Sequence, residues 1–397
     1  MRILLLSHHY EPEIGPPQRR WSAFVSRFVA AGHSVTVLTS QPHYPVGRRL
    51  PGPRTPTWRA TTGRHGETVV RLPYLPHGPG TGRRLADQVV TAGASLLPGL
   101  GRRGDVIVAT VPALPTLLAG NILAAATRTP LVVEMRDAWP DLIDESGIAR
   151  GPVARAMASL ISACQRRADV VVTTSTRFSQ VLTERGLPHV VTIRNGVDTS
   201  AVPVSPVPPP RDRLEALYLG TVGLSQHVVG AVEAAHRLGG GRVRLTVVGE
   251  GAARADVAAA VRRLDAPVRL LPRAEGPALW DAYAGADTCL VTLQAWPSFE
   301  STVPSKLYEL LATGRHISAA VAGETAEIVT ESGGGDVVPP EDPAALAALW
   351  GRLAADRARL DVGPGPRAWV ARNADLDSLA ASYLDVLEVI VRPQVTR

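Results

Sequence analysis

The 397 residues exceed what one ordinary hydrophobic core organises and suit two domains of nearly 200 residues each. With 45% hydrophobic and 20% charged residues the composition is that of a folded protein, and no run reaches the roughly 18–20 apolar residues of a membrane span. The first apolar run, Met1–Leu6, is too short for a signal peptide and fits a buried strand; the two cysteines, Cys164 and Cys289, are too distant to suggest a disulfide framework or a metal site, so a cytoplasmic setting is expected.

Charge is unevenly spread. Residues 1–200 hold 23 Arg against 13 Asp or Glu, whereas the remainder holds 19 Lys or Arg against 23 acids. The arginines stand singly and in pairs without interleaved aromatics, which argues against nucleic acid. An anionic acceptor, peripheral contact with a membrane surface and a general Arg bias all remain open. Of the 42 basic residues only Lys306 is a lysine. It is either a chance survivor or the mark of a place where a compact ammonium is needed and a planar guanidinium does not substitute.

In chain order, β-branched runs predict strands at Ile3–Ser7, Val35–Thr39, Thr68–Leu72, Val106–Ala109, Leu131–Met135, Val170–Thr174 and Val190–Ile193. Ala- and Leu-rich stretches between them predict helices at Arg20–Ala31, Thr116–Ala126, Val153–Arg167 and Arg177–Arg185. The Pro-rich run Val202–Pro210 reads as an interdomain linker over 202–213. The alternation then restarts with strands Ala216–Leu219, Arg244–Val248, Val268–Leu271, Cys289–Leu293, Ile317–Ala320 and Asp336–Val338. The helices expected among them run from His227 to Leu238, up to Leu264, around Trp280, over Lys306–Ala312 and over Thr325–Glu331. The pattern predicts an α/β chain of two facing Rossmann-like domains with parallel sheets, over 1–201 and 214–375. A terminal segment, 376–397, is expected to cross back onto the first domain as an amphipathic helix.

Chemistry concentrates in Pro304-Ser305-Lys306-Leu307-Tyr308-Glu309. Pro304 before a helical stretch, with Ser305 as candidate N-cap, marks a helix N-terminus, where amides and the dipole attract an anion such as a diphosphate. Lys306 adds a full positive charge in the first turn, and Glu309, one turn on, is spaced to accept from a pair of ribose hydroxyls. An ordinary capped helix with a solvated Lys and Glu is the alternative. A second phosphate candidate is Leu219-Gly220-Thr221-Val222-Gly223-Leu224, a strand-to-helix junction whose glycines let amides approach a pyrophosphate; a tight turn without a ligand is the alternative.

Further segments fall in a telling order. They are Tyr10-Glu11-Pro12-Glu13-Ile14-Gly15-Pro16-Pro17, Pro42-His43-Tyr44-Pro45, Val132–Asp141 with Arg136-Asp137, and Ile193-Arg194-Asn195-Gly196-Val197-Asp198. In the second half stand Val247-Val248-Gly249-Glu250-Gly251, Ala284-Gly285-Ala286-Asp287, Pro304–Gly314 and Gly323-Glu324. In order and spacing these segments resemble the retaining glycosyltransferases of family 4, in particular the bacterial surface-polysaccharide branch that transfers N-acetylated amino sugars. The resemblance implies the GT-B fold and transfer from a UDP-sugar, a UDP-N-acetylhexosamine, to a small-molecule or lipid-linked acceptor, with no cofactor beyond that co-substrate.

The resemblance also implies roles. Glu309 holds the donor ribose, Ser305 and Lys306 bind the diphosphate beside Gly220, Thr221 and Gly223, and Gly15 approaches the donor phosphate from the first domain. Arg136 and Asp137 face the donor sugar and acceptor; His9, Pro16, His43 and Asn195 fall on the acceptor side or at the domain boundary. The chain also departs from the family pattern. The seven-residue spacing from Glu309 lands on Ser301, so either Glu300 reaches the sugar by a local shift or the first carboxylate is missing. Thr221 or Val222 and Gln226 stand where many members carry Arg and Lys, and Arg136 stands where a His is frequent. No Asp-x-Asp motif sits at a suitable strand end, and no metal is expected.

The implied mechanism is a front-face displacement. Lys306, the helix N-terminus and the Gly220–Gly223 amides stabilise the leaving diphosphate, whose oxygen takes the acceptor proton. Two other readings stay open. A nucleotide-sugar 2-epimerase or hydrolase would draw an acid/base from His8, His9, Glu13 or Asp137; a catalytically silent nucleotide-sugar-binding subunit would need none. Oligomeric state is not legible.

Overall fold

The structure, a computed structural model, describes all residues except 53, 54, 79, 146, 148 and 393–397. It divides the chain into two compact units, Met1–Asn195 with Leu376–Arg397, and Gly196–Asp375. Residues 393–397 of the expected terminal segment lie outside the described residues.

The first unit is built on β1 (Arg2–Ser7), β2 (Ser34–Ser40), β3 (Ala60–Thr62), β4 (Thr68–Leu72), β5 (Val106–Thr110), β6 (Leu131–Met135), β7 (Val170–Thr173) and β8 (Val190–Thr192). Their order across the sheet is β3-β4-β2-β1-β5-β6-β7-β8, parallel throughout except for β3, which runs antiparallel to β4. Every residue of β5, β6 and β7 is buried, as a sheet covered on both faces requires of its Val/Ile runs. Alternate residues of β1 serve opposite faces. Ile3 and Leu5 join an aromatic cluster in which Trp21, Phe24 and Phe28 of the helix Pro16–Ala30 surround Tyr383 of the terminal helix Leu376–Val391. Leu4 and Leu6 pack with Ala92, Leu117, Leu123 and Ile161 from the helices Thr81–Leu100, Pro115–Thr127 and Gly151–Arg166.

One buried cation locks this unit. Arg20, on the helix Pro16–Ala30, donates from Nε and Nη2 to the same Glu134 oxygen on β6 at 3.1 and 3.0 Å. Its remaining donors reach the carbonyls of Ile193 at 2.9 Å and Arg194 at 2.5 Å, just past β8. The other Glu134 oxygen accepts from Thr110 on β5 at 2.9 Å.

The second unit is a doubly wound sheet of β9 (Leu214–Leu219), β10 (Val243–Val248), β11 (Val268–Leu271), β12 (Thr288–Thr292), β13 (His316–Ala320) and β14 (Gly335–Val338). Its order is β11-β10-β9-β12-β13-β14, all parallel, so the winding reverses between β9 and β12. In such sheets ligands bind beyond the carboxyl ends of the strands at that reversal.

The expected linker does not hang free. Val202 is buried, Ser205 N donates to Thr313 O at 2.8 Å, and Arg367 donates to Val202 O at 3.1 Å, so the Pro-rich segment is part of the second unit. Besides the single turn Leu142–Glu145, three longer helices among the described residues were not predicted: Thr81–Leu100, Pro343–Ala355 and Gly365–Asn373. The first contains Gly82, Gly93, Gly99 and Pro98, which read as loop residues. The second carried a legible start, Asp342 before Pro343, and the Asp342 carboxylate accepts from Ala345 N at 2.9 Å. Among the described residues no helix is long and apolar enough to cross a membrane.

Arg20→Ala leaves Glu134 buried without its cation, so the variant is expected to lose about 3–5 kcal/mol. Urea unfolding followed by circular dichroism measures it; a loss under 1 kcal/mol refutes the lock.

Candidate active site

Lys306 is brought to the reversal point of the second sheet. It lies in the first turn of the helix Ser305–Thr313, and its Nζ sits 3.9 Å from the centroid of the Tyr218 ring on β9. The same Nζ is 3.5 Å from the carbonyl oxygen of Leu290 on β12. Its side chain also runs beside Gly220, where an added Cβ would lie 3.7 Å from Lys306 Cδ. Among the described residues no carboxylate pairs with this ammonium, and burial pushes it down to about 7.

The helix beneath it differs from the expectation in one respect. Pro304, with extended backbone, is the N-cap, and Ser305 is the first helical residue, so Ser305 makes no side-chain cap. The opening amides of the helix therefore have no side-chain acceptor of their own, which keeps the N-terminus open to an anion. Glu309, one turn on, accepts from the buried Tyr283 hydroxyl at 2.6 Å. Tyr283 was not legible as a site residue, because it lies on another helix, Pro277–Gly285.

The glycine turn lies against the same lysine, but most of its amides are committed. Gly220 N donates to Val248 O at 3.0 Å and Val222 N to Glu250 O at 2.9 Å. Gly223 N donates to the Gln226 side chain at 3.1 Å, a neutral tie internal to the turn. Three of the four Gly220–Gly223 amides expected to cradle an anion are thus engaged within the protein; the exception is Thr221, the one exposed residue of the four. The turn is seated on Gly249-Glu250-Gly251. A Cβ on Gly249 or Gly251 would collide with the Gly220 or Val222 carbonyl oxygen, and φ is +148° and +158° at the two glycines.

Glu300 lies in a short 3-10 segment, Pro297–Ser301, whose backbone packs directly on Gly323. With Trp296, Phe299, Gln294 and Ala322 it lines a small cleft of about 110 Å³ in this unit.

In the first unit Arg136 and Asp137 follow β6 directly. Arg136 Nε and Nη1 are buried with no hydrogen-bond partner, and burial depresses its pKa to about 10 despite the neighbouring Glu134. Burial raises the adjacent Asp137 carboxyl, Arg136 opposing the shift. Gly15 caps the helix Pro16–Ala30 with Pro16 as its first residue. A Cβ at Gly15 would press on the Gln18 side chain at 2.6 Å and on Tyr44 at 3.2 Å. Asn195 is buried and ends the first of the two stretches that make up this unit.

His9 Nδ1 lies 2.9 Å from Glu13. Burial favours the neutral Glu13 carboxyl, but His9 and the amides of His43 (2.7 Å) and Tyr44 (2.8 Å) outweigh it and hold Glu13 down to about 2. His43 is packed in a group of histidines around Asp87.

Comparison with known proteins agrees with this architecture. A glycosyl transferase 4-like domain matches residues 15–196, and a glycosyl transferases group 1 domain matches residues 214–356. WcaI of Escherichia coli K12, named as a colanic acid biosynthesis glycosyl transferase, is 27% identical over 84% of this chain and 85% of its own length. Sucrose-phosphate synthase from Thermosynechococcus elongatus superposes with a TM-score of 0.78 at 18% identity, covering 98% of each chain. Anabaena HepE, solved with UDP and glucose, superposes at 0.70 with 16% identity, over 97% of this chain and 99% of its own. The chain is a glycosyltransferase of the GT-B fold.

The Lys306 shift sets a pH dependence. Its folded pKa lies below the ordinary lysine range near ~10.4, so from about pH 7 to about pH 10 the unfolded chain binds the extra proton. The contribution of this group to stability rises with pH across that window and is least favourable below about 7. Lys306→Met should be more stable than the parent at pH 6.5, by a margin that shrinks towards pH 9.5 in urea titrations. A margin independent of pH contradicts the desolvated ammonium.

Proposed function

We propose that this glycosyltransferase moves an N-acetylhexosaminyl group from a UDP-sugar, with retention, to a lipid-linked acceptor. The observation that carries the donor half is Lys306, a desolvated ammonium that has no carboxylate partner among the described residues and stands at the reversal point of the second sheet. A diphosphate supplies the missing counter-charge, and the uncapped amides of Ser305 and Lys306 supply hydrogen bonds. As the sugar–phosphate bond breaks, charge grows on the leaving oxygen, and a fixed ammonium in a dry setting stabilises it more than in water. Glu309, positioned by Tyr283, is assigned to the ribose hydroxyls, and Glu300 beside its cleft to the sugar.

In the first unit Gly15 and Pro16 are assigned to the donor phosphate, and Arg136 and Asp137 to the sugar and acceptor. The unsatisfied Arg136 donors suit an anionic acceptor. The leaving phosphate oxygen takes the acceptor proton, so the step uses no metal and no separate protein base. The UDP and glucose bound by HepE, and the UDP and GlcNAc bound by the pneumococcal O-GlcNAc transferase GtfA, support a UDP-linked donor. The amino sugar rests on the motif resemblance.

The lipid-linked acceptor and a peripheral position at the inner membrane face are supported by one surface. Val89, Leu97 and Leu100 on Thr81–Leu100, Leu118 and Ile122 on Pro115–Thr127, and Val153 and Leu160 on Gly151–Arg166 are all exposed. These helices cover one face of the first sheet, with the exposed arginines Arg83, Arg84 and Arg103 beside them.

Calorimetry with UDP, GDP, UDP-GlcNAc and GDP-mannose tests the donor. Uridine ligands should bind, and Lys306→Ala should weaken them by about 1.5–3 kcal/mol; undiminished binding removes Lys306 from the site. Flotation with anionic phospholipid vesicles tests the surface. The parent should co-float and Leu97→Glu/Val153→Glu should lose most of that binding, whereas a parent that stays behind points to a water-soluble acceptor.

A further inference from the structure

The donor chemistry leaves unexplained a buried constellation at the carboxyl ends of β1, β2 and β4. His8 follows β1, His43 follows β2, His77 follows β4, and Asp87 projects from the helix Thr81–Leu100. All four side chains are buried. Asp87 Oδ2 is approached by three imidazole nitrogens: His8 Nε2 at 3.0 Å, His43 Nε2 at 3.1 Å and His77 Nε2 at 3.9 Å.

The other ring nitrogens fix the tautomers. His43 Nδ1 lies 2.7 Å from the Gln41 carbonyl oxygen, and His77 Nδ1 lies 2.9 Å from the Gly78 carbonyl oxygen. A carbonyl only accepts, so each Nδ1 carries a proton and donates it. In the neutral ring Nε2 is then a bare lone pair. Two lone pairs and a carboxylate oxygen, all acceptors, converge on one small volume, and their mutual repulsion is relieved by a proton on an imidazole or by a metal cation that all three atoms share. The His43 Nε2 atom is fully buried 3.1 Å from Asp87 Oδ2, at an angle that falls outside hydrogen-bond geometry. The second Asp87 oxygen accepts from Leu75 N at 2.8 Å, which fixes the carboxylate orientation.

From this geometry we propose that His43 Nε2, His77 Nε2 and Asp87 Oδ2 bind a divalent transition metal of the zinc class, a water completing four-coordination. The three ligand groups have donor atoms within 4.8 Å of one another. A tetrahedron with metal–nitrogen bonds of about 2.0–2.1 Å places ligand atoms roughly 3.3 Å apart, so small side-chain movements close it. The Gln41 and Gly78 carbonyls, the Leu75 amide and His8, which donates to Asp87, form the outer shell that orients the ligands. A second grouping, His8 with His9 and His43, is equally compact, but His9 Nδ1 is engaged by Glu13 and His8 Nε2 by Asp87. The ion pins the segments after β2 and β4 to the helix Thr81–Leu100.

Untagged full-length protein, stripped with dipicolinate, is titrated with Co²⁺ and then with Zn²⁺ in competition. One equivalent of Co²⁺, with the ligand-field bands of a four-coordinate ion that Zn²⁺ abolishes, is expected. His77→Gln and Asp87→Asn should each weaken Co²⁺ binding tenfold or more, and Lys306→Ala should bind as the parent does. Circular dichroism establishes that all three variants are folded, and nucleotide binding does so in addition for the two ligand variants; if one of these is not folded, the parent titration and the other variant decide. No stoichiometric binding by the parent, or unchanged affinity in both ligand variants, overturns the site and leaves a protonated His43 paired with Asp87.

Discussion

Parallel strands impose the constraint on which the rest depends. When all strands of a sheet point one way and both faces are covered by helices, loops at the carboxyl edge are the places left for polar chemistry. The second sheet obeys this fully, and the first departs only at its edge strand β3. Lys306 and the glycine turn collect at that edge of the second unit. Arg136, Asp137 and the histidines around Asp87 collect at the corresponding edge of the first.

The polar groups at the two edges are handled differently. The Arg20–Glu134 pair and the Glu13 carboxylate are buried charges whose hydrogen bonds are met, and they serve to hold loops and helices in register. Lys306 and the Nε and Nη1 atoms of Arg136 lack such partners. A buried donor left unmatched costs stability, and these are the groups to which the proposed function assigns the leaving diphosphate and the sugar and acceptor.

Much of this was legible in the chain. Val/Ile runs located β4, β6 and β11 with their observed ends, because β-branched and apolar residues concentrate in strands bounded by turn residues. Lys306 announced itself through composition, the one lysine among arginines. What stayed hidden depends on contacts across sequence. Tyr283 and Glu309 are 26 residues apart, and the seat that Gly249 and Gly251 provide for Gly220 and Val222 is an approach of two backbones. His8, His43, His77 and Asp87 stand singly along some 80 residues, without the short ligand spacing that betrays a metal site in a sequence. The commitment of the turn amides was equally invisible, since it depends on where Gln226 and the β10 loop come to rest.

The terminal helix gives the chain a temporal order as well as a spatial one. Tyr383 sits fully buried among Trp21, Phe24 and Phe28, and the chain passes through the whole of Gly196–Asp375 before reaching it. On a ribosome the early unit is therefore made first but cannot close its aromatic core until the helix Leu376–Val391 has emerged. The later unit, being continuous, has all its strands in hand sooner. Synthesis from one end thus completes the two cores in the reverse of the order in which they are begun.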